Sequence, residues 1–394
     1  MEKFELKYGT NPNQKPAYLD RRDGAALPFT ILNGRPGYIN FLDALNSWQL
    51  VRELDHALHL PAAASFKHVS PTSAALGLPL PEALKKASFV NDIEGLDDSP
   101  LACAYARARG TDRMSSFGDW AALSREVDLT TARILKREVS DGVIAPSYTP
   151  EALELLKTKK NGNYNIIQID PAFEPDEEES KEVFGVRFTQ KRNDAQFMPD
   201  ALGDIVTKRT DLSAEAARDL VVALYTLKYT QSNSVAFATD GQAIGVGAGQ
   251  QSRIHCVRLA GDKADTWLLR QSERVLNLPF QEGLPRAIRD NAIDQFLHAY
   301  EQDVTADGVW QTLFTEPVAP LRPEEREAIL KASRPVVLAS DAFFPFPDNI
   351  QRAAQSGVVA IAQPGGSTRD AQVIQAADDF GMVMVFTHQR LFHH

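Results

Sequence analysis

Cysteine is nearly absent: the 394-residue chain has two, Cys103 and Cys256. Neither sits in a C-x-x-C pair, which excludes a disulfide framework and a cysteine-built zinc site, so no metal centre is expected. An excess of basic charge is also missing. Lys and Arg number 42 against 52 Asp and Glu, a formal charge of −10, whereas sequence-independent nucleic-acid binding needs a basic footprint. No apolar run is long enough to span a bilayer. The first nine residues lack the apolar stretch of a secretory leader. These absences predict a cytoplasmic protein that binds neither nucleic acid nor membrane. What remains is ordinary globular stuff, 43% hydrophobic and 24% charged, long enough for roughly two to three domains.

The last third reads most easily. Pro335–Ser340, Val358–Ala362 and Met382–Phe386 have the continuous apolar character of buried strands. Between them, Asp348 is placed to cap a helix ending near Gln355, and Arg369–Phe380 forms another, stopped by Gly381. This alternation predicts an α/β fold with a parallel, doubly covered sheet. The first third has a similar rhythm. Phe41–His59 carries apolar residues at near-helical spacing, Ala62–Lys67 reads as a strand, and Ser73–Leu76 as the start of a further helix. In the middle, the acidic run Glu174–Glu182 reads as a boundary or solvated loop. Leu212–Tyr229 reads as a long helix capped near Asp211, and Ser234–Ala238 and Gln242–Val246 as strands paired around Asp240-Gly241. The expected units are 1–178, 179–270 and 271–394.

Ligands bind open α/β sheets beyond the carboxyl ends of the strands. Lys67-His68 follows such a strand and offers a cation and a proton acceptor, or merely a solvated strand end. Gly245–Arg253 is a glycine-rich turn after a strand, with an arginine able to fork onto an anion. It is neither a dinucleotide fingerprint nor a Walker A loop. Phe343-Phe344-Pro345-Phe346-Pro347-Asp348 suits a flat heteroaromatic ring, and Pro364–Thr368 precedes a helix, where anions are favoured. These features point to an enzyme with a pocket for a planar ring and an anionic group.

Longer stretches carry more. They include Tyr8-Gly9-Thr10-Asn11-Pro12, Gly37-Tyr38-Ile39-Asn40, Ala64–Pro71 (ASFKHVSP), Arg113–Asp119 (RMSSFGD), Lys228–Val235 (KYTQSNSV), Gly247–Gly261 and Arg390–His394. In this order they resemble the formyltransferase part of the AICAR transformylase/IMP cyclohydrolase family. The resemblance runs from about residue 5 to the last residue, and it implies cytidine-deaminase-like α/β subdomains with mixed or parallel sheets covered by helices. The zinc-ligand signatures of the deaminases themselves are lacking.

The resemblance implies transfer of formyl from 10-formyltetrahydrofolate to the 5-amino group of AICAR. Lys67, His68 and Asn233 are the implied catalytic residues. Lys7, Tyr8, Asn40, Gly118, Asp141, Arg253, Phe343 and Arg390 would line the AICAR site. Ile254, Phe343, Asp348, Ser367, Thr368 and Phe392 would line the folate site, with Asp348 on the pterin edge. No zinc is implied; a bound monovalent cation is compatible with the resemblance and is not needed for the chemistry. The active sites are expected between the two subunits of a homodimer. Lys7 stands where the family usually has arginine, and a lysine is a point charge, not a fork. The resemblance begins almost at Met1, so no preceding cyclohydrolase domain and no ring-closing activity are expected. Formylation from formate and ATP, or AICAR binding without turnover, are the alternative readings.

Overall fold

The computed structural model describes residues 3–298, 303–333 and 335–394. Its centre is one eleven-stranded mixed sheet. In chain order the elements are β1 (Phe29–Asn33), α1 (Tyr38–Leu58), β2 (Ala62–Lys67), β3 (Ser70–Leu76), α2 (Pro100–Thr111), β4 (Asp119–Leu123), α3 (Leu129–Arg137), β5 (Ser140–Ala145), α4 (Pro150–Lys157) and β6 (Asn165–Ile169). There follow α5 (Ala214–Lys228), β7 (Val235–Thr239), β8 (Gln242–Gly247), α6 (Arg253–Arg270), α7 (Arg286–His298), β9 (Val336–Ser340), α8 (Asp348–Gln355), β10 (Val358–Gln363), α9 (Asp370–Asp379) and β11 (Val383–Phe386). The spatial order is β11-β10-β9-β7-β8-β3-β2-β4-β5-β6-β1.

Two halves of the sheet repeat one pattern. A long helix leads into an antiparallel hairpin; a helix then crosses to the hairpin's free side, where three strands run parallel with helices between them. The halves meet antiparallel where β8 lies beside β3, with Gln242 opposite Ala75. The sheet is therefore continuous across all three expected units, and the 178/179 boundary falls inside a small ribbon. The strands are buried on both faces, which explains their unbroken apolar character. One face packs on α1 and α5 through residues such as Phe66, Leu54, Leu220 and Val337. The other packs on α2, α3, α6, α8 and α9. Close approach of α6 to β8 needs a residue without a side chain: a Cβ on Gly245 would lie 2.1 Å from the Ala260 carbonyl oxygen.

The structure corrects four local readings. Ser73–Leu76 is strand, not helix. The chain reverses in two residues at His68-Val69, whose φ of 54° and 60° are left-handed. Neither residue type advertises that conformation, so the hairpin left no trace in the pattern. The acidic run passes into an exposed ribbon, with Glu178–Val183 paired to Val186–Lys191. Helix α5 is capped by Ser213, whose hydroxyl accepts the Ala216 N–H, because Asp211 is paired to Arg209 at 2.8 Å. Asp348 likewise lies inside the first turn of α8, with Pro347 as the cap.

Candidate active site

The sheet has two rims, and one gathers nearly all the candidate residues. In the first half this rim is the carboxyl end of β2 (Lys67-His68) and the amino ends of β4 and β5 (Gly118, Asp141). In the second half it is the amino end of β7 (Asn233) and the carboxyl ends of β8, β9, β10 and β11. Those four ends lead to Arg253, to Phe343 and Asp348, to Ser367 and Thr368, and to Arg390 and Phe392 respectively. Among the parallel strands the carboxyl-end rule thus holds for the second half only, although Lys67-His68 does follow the carboxyl end of β2. The antiparallel join of β8 and β3 turns the first half over.

At the tip of the β2–β3 hairpin, His68 is exposed and Lys67 half-buried. The Lys67 ammonium donates to the Phe117 carbonyl, which ties it to the loop carrying Gly118. A β-branched residue at positive φ, such as Val69, is strained, so the turn needs an external hold. Asp43 supplies it: its Oδ1 accepts the Val69 N–H at 2.7 Å from the second turn of α1. Burial pushes the Asp43 carboxyl up to about 6, opposed by the Val69 bond and by His68. Nothing in the sequence distinguished Asp43 from any helical aspartate, and only the contact with Val69 identifies it.

Asn233 lies half-buried across the β3–β8 junction. Its loop is tied to the hairpin, since the Gln231 N–H reaches Ser70 Oγ at 3.3 Å. Its side-chain oxygen accepts from Arg253 Nη2 at 2.9 Å, and its Nδ2 donates to the Gln251 carbonyl at 3.2 Å. Arg253 is 7% exposed, and its guanidinium turns inward onto Asp341 and the Ser234 carbonyl. In this structure it orients Asn233 and does not present a free fork. Asp341, fully buried, also receives Ser232 Oγ at 2.6 Å, the Ser234 N–H at 3.0 Å and Ser234 Oγ at 3.1 Å. Its carbonyl accepts the Leu391 N–H at 2.8 Å, which docks the C-terminal segment beside Asn233. Asp341 is the hub that sequence reasoning passed over, because it lay beside the more conspicuous phenylalanines.

The other candidates fall into smaller groups. Asp141 pairs with Lys160 at 2.8 Å. Gly118 has φ of 78°, and its N–H is held by the Val139 carbonyl at 2.8 Å. Phe343 and Phe346 are exposed, with the Arg369 guanidinium 4.3 Å from the Phe346 ring centre; Asp348 is exposed beside them. Arg390 stacks on Phe392 at 4.5 Å. Ile254 is half-buried in the first turn of α6. Asn40 is engaged in capping α1, its Oδ1 accepting the Gly37 N–H at 2.9 Å. Lys7 and Tyr8 lie off the main sheet, beyond the short ribbon of Phe4–Leu6 and Ala17–Leu19. Phe4 packs edge-on against Phe41 at 5.8 Å, which sets that ribbon on the first turn of α1. Among the described residues no group of three or more His, Cys, Asp or Glu could hold a metal ion, and no helix is long and apolar enough to cross a membrane.

A family model for the AICARFT/IMPCHase bienzyme matches residues 1–263. The chain belongs to that family. Among curated relatives, the bifunctional purine biosynthesis protein PurH of Sorangium cellulosum (strain So ce56) is 33% identical, over 99% of this chain and 59% of its own length. PurH of Magnetococcus marinus is 31% identical over 99% and 59%, and PurH of Xanthomonas campestris pv. campestris 32% over 99% and 58%. The chain thus spans a little under three fifths of the relatives it matches. The mixed α/β architecture, a broad sheet covered by helices on both faces, is the fold class expected from the resemblance.

Proposed function

We propose that this chain transfers the formyl group of 10-formyltetrahydrofolate to the 5-amino group of AICAR, giving FAICAR and tetrahydrofolate. The observation that carries the reading is the juxtaposition, on one rim, of the Lys67-His68 turn and the Asn233 loop, joined through Ser70 and Gln231.

The chemistry follows from the groups present. The amine nitrogen attacks the formyl carbon, and the formyl oxygen becomes an oxyanion. The bond from that carbon to the folate nitrogen then breaks as the oxyanion collapses. His68, exposed at the tip, takes the amine proton as general base. Lys67, anchored to the Phe117 carbonyl, supplies positive charge to the oxyanion. The departing folate nitrogen takes up a proton. Asn233, steered by Arg253 and Asp341, orients the reacting groups.

We assign Phe343, Asp348, Ser367, Thr368, Ile254 and Phe392 to the folate side. Lys7, Tyr8, Asn40, Gly118, Asp141, Arg253, Phe343 and Arg390 go to the AICAR side, Arg253 acting there through its hold on Asn233. The monovalent cation of the resemblance is given no site among the oxygens around Asp341, because Arg253, Ser232 and Ser234 already occupy the Asp341 carboxylate. Exposed Met114 and Phe117 on one half of the rim, and Phe343, Phe346 and Phe392 on the other, support completion of the site by a second copy, in a cytoplasmic homodimer. Formyl transfer is the activity assigned to these 394 residues. The division into units 1–178, 179–270 and 271–394 is likewise proposed, within one continuous sheet.

The test is tetrahydrofolate release from 10-formyltetrahydrofolate and AICAR, with wild type and His68→Ala. A loss of about 10²–10⁴ in kcat for the variant is expected of a general base. Full turnover by the variant would move the base elsewhere. AICAR binding without any transfer by wild type would overturn the reading.

A further inference from the structure

We propose that the recess between the catalytic rim and the start of α7 is an oxyanion subsite that holds the carboxylate tail of the folate donor; the inference rests on the formyl-transfer reading. The recess is a cavity of about 250 Å³ lined by Arg109, Arg113, Arg137 and Arg286, with Met114 and Phe117 among its walls. Its two lining carboxylates are already shared. Glu138 serves Arg109 at 3.3 Å and Arg113 at 3.2 Å, and Asp290 serves Arg113 at 2.9 Å and Arg270 at 2.6 Å. Arg137 turns to Asp92 at 2.9 Å.

Two guanidiniums are left short of acceptors. Arg109 is 3% exposed, and its Nε and Nη1 make no hydrogen bond, although Asp119 lies 3.6 Å from Nε. Arg286 is half-buried, and its side chain's hydrogen bond, to the Arg137 carbonyl, is stretched to 3.5 Å. Burial and the neighbouring Arg137 make its charge costly, and its guanidinium is held below the usual range. Arg286 and Ala287 also form the first turn of a thirteen-residue helix, where the backbone favours negative charge. A carboxylate in the recess would satisfy all three at once.

The walls say which anion. Met114, Phe117 and Val139 are 39%, 48% and 45% exposed, an apolar mouth beside the cations. A ligand with an aromatic ring followed by carboxylates fits both parts; a bare inorganic anion leaves the apolar part unused. The recess also joins the rim directly. The Phe117 carbonyl holds Lys67, and the Val139 carbonyl holds Gly118.

The experiment compares wild type, Arg286→Gln and Arg286→Lys with 10-formyltetrahydrofolate and with its analogue lacking the glutamate, 10-formyltetrahydropteroate. Arg286→Gln should raise KM for the glutamylated donor about tenfold, the value of one charge-assisted contact, with KM carrying the loss and Arg286→Lys recovering most of it. The pteroate donor should show no such rise. An equal rise for both donors, or less than about a twofold rise for the glutamylated one, overturns the proposal. If Arg286→Gln instead raises KM for AICAR but not for its phosphate-free riboside, the oxyanion is the nucleotide's phosphate and the tail assignment falls. If wild type transfers no formyl group, the functional reading fails by itself. Calorimetry with (4-aminobenzoyl)triglutamate then decides the subsite: about tenfold weaker binding by Arg286→Gln supports it, and equal binding overturns it.

Discussion

Replacing Asp43 with asparagine should make the protein more stable and less active, and the stability gain should depend on pH. Asp43 is 6% exposed, and its carboxyl is raised from 3.8 to about 6. A carboxyl with a raised pKa binds its proton more tightly in the folded chain. Its stabilising contribution is therefore complete below pH 3.8 and is lost as pH rises through about 6. The rise from 3.8 to about 6 makes the ionised side chain cost about 3 kcal/mol at neutral pH. Roughly half of that, about 1.4 kcal/mol, develops between about pH 5 and pH 7.5. An unfolding entropy of about 2.1 cal/mol/K per residue converts this into a widening of roughly 2 °C in the melting-temperature gap between Asp43→Asn and wild type. Asparagine keeps an acceptor for the Val69 N–H, so the turn survives while the charge facing His68 goes. Asp43→Ala removes the acceptor too, strands a donor at a cost of about 1–3 kcal/mol, and lets His68 and Val69 leave their left-handed conformation. Scanning calorimetry of the three proteins across that pH range, with formyl-transfer kcat beside it, checks the argument. A gap that does not change with pH would refute the buried-charge account. Full kcat in Asp43→Ala would refute the role of the turn.

Other outcomes follow from the same geometry. Asp341→Ala leaves Arg253 buried without its partner; the expected cost is about 3–5 kcal/mol, read as a melting temperature lower by roughly 4–6 °C, together with loss of formyl transfer. Lys159, 9% exposed and bonded to the Leu135 carbonyl at 2.6 Å, has its ammonium brought down to about 7 by burial. Its stabilising contribution is lost as pH falls, so wild type should gain on Lys159→Met by about 1.4 kcal/mol per pH unit between about pH 7.5 and 9.5, measured by urea unfolding; parallel curves would contradict this. The thiols of Cys103 and Cys256, both pushed up to about 11 by burial, should resist iodoacetamide in the native protein near neutral pH and react once it is unfolded, as counted by mass spectrometry.

Much of this protein was legible in its sequence. Strands buried on both faces announce themselves as unbroken apolar runs, as in Val336–Ser340 and Val358–Gln363, and their alternation with helices predicts a covered sheet. The Lys67-His68 pair, the Asn233 stretch and the phenylalanine-rich loop were visible because their residue types carry chemistry. What tertiary structure alone decided was their relation. The hairpin at His68-Val69 could not be foreseen, because residues held at positive φ against their preference depend on a distant acceptor, Asp43, twenty-six positions away. Arg253 read as a free fork until Asp341, eighty-eight residues on, was found to hold it. The antiparallel join of β8 to β3 depends on pairing between strands far apart in the chain. That join brings the amino ends of one half and the carboxyl ends of the other onto a single rim. Local sequence sets which groups can react and which segments must be buried; long-range pairing, whose partners are not encoded near one another, sets which of those groups meet.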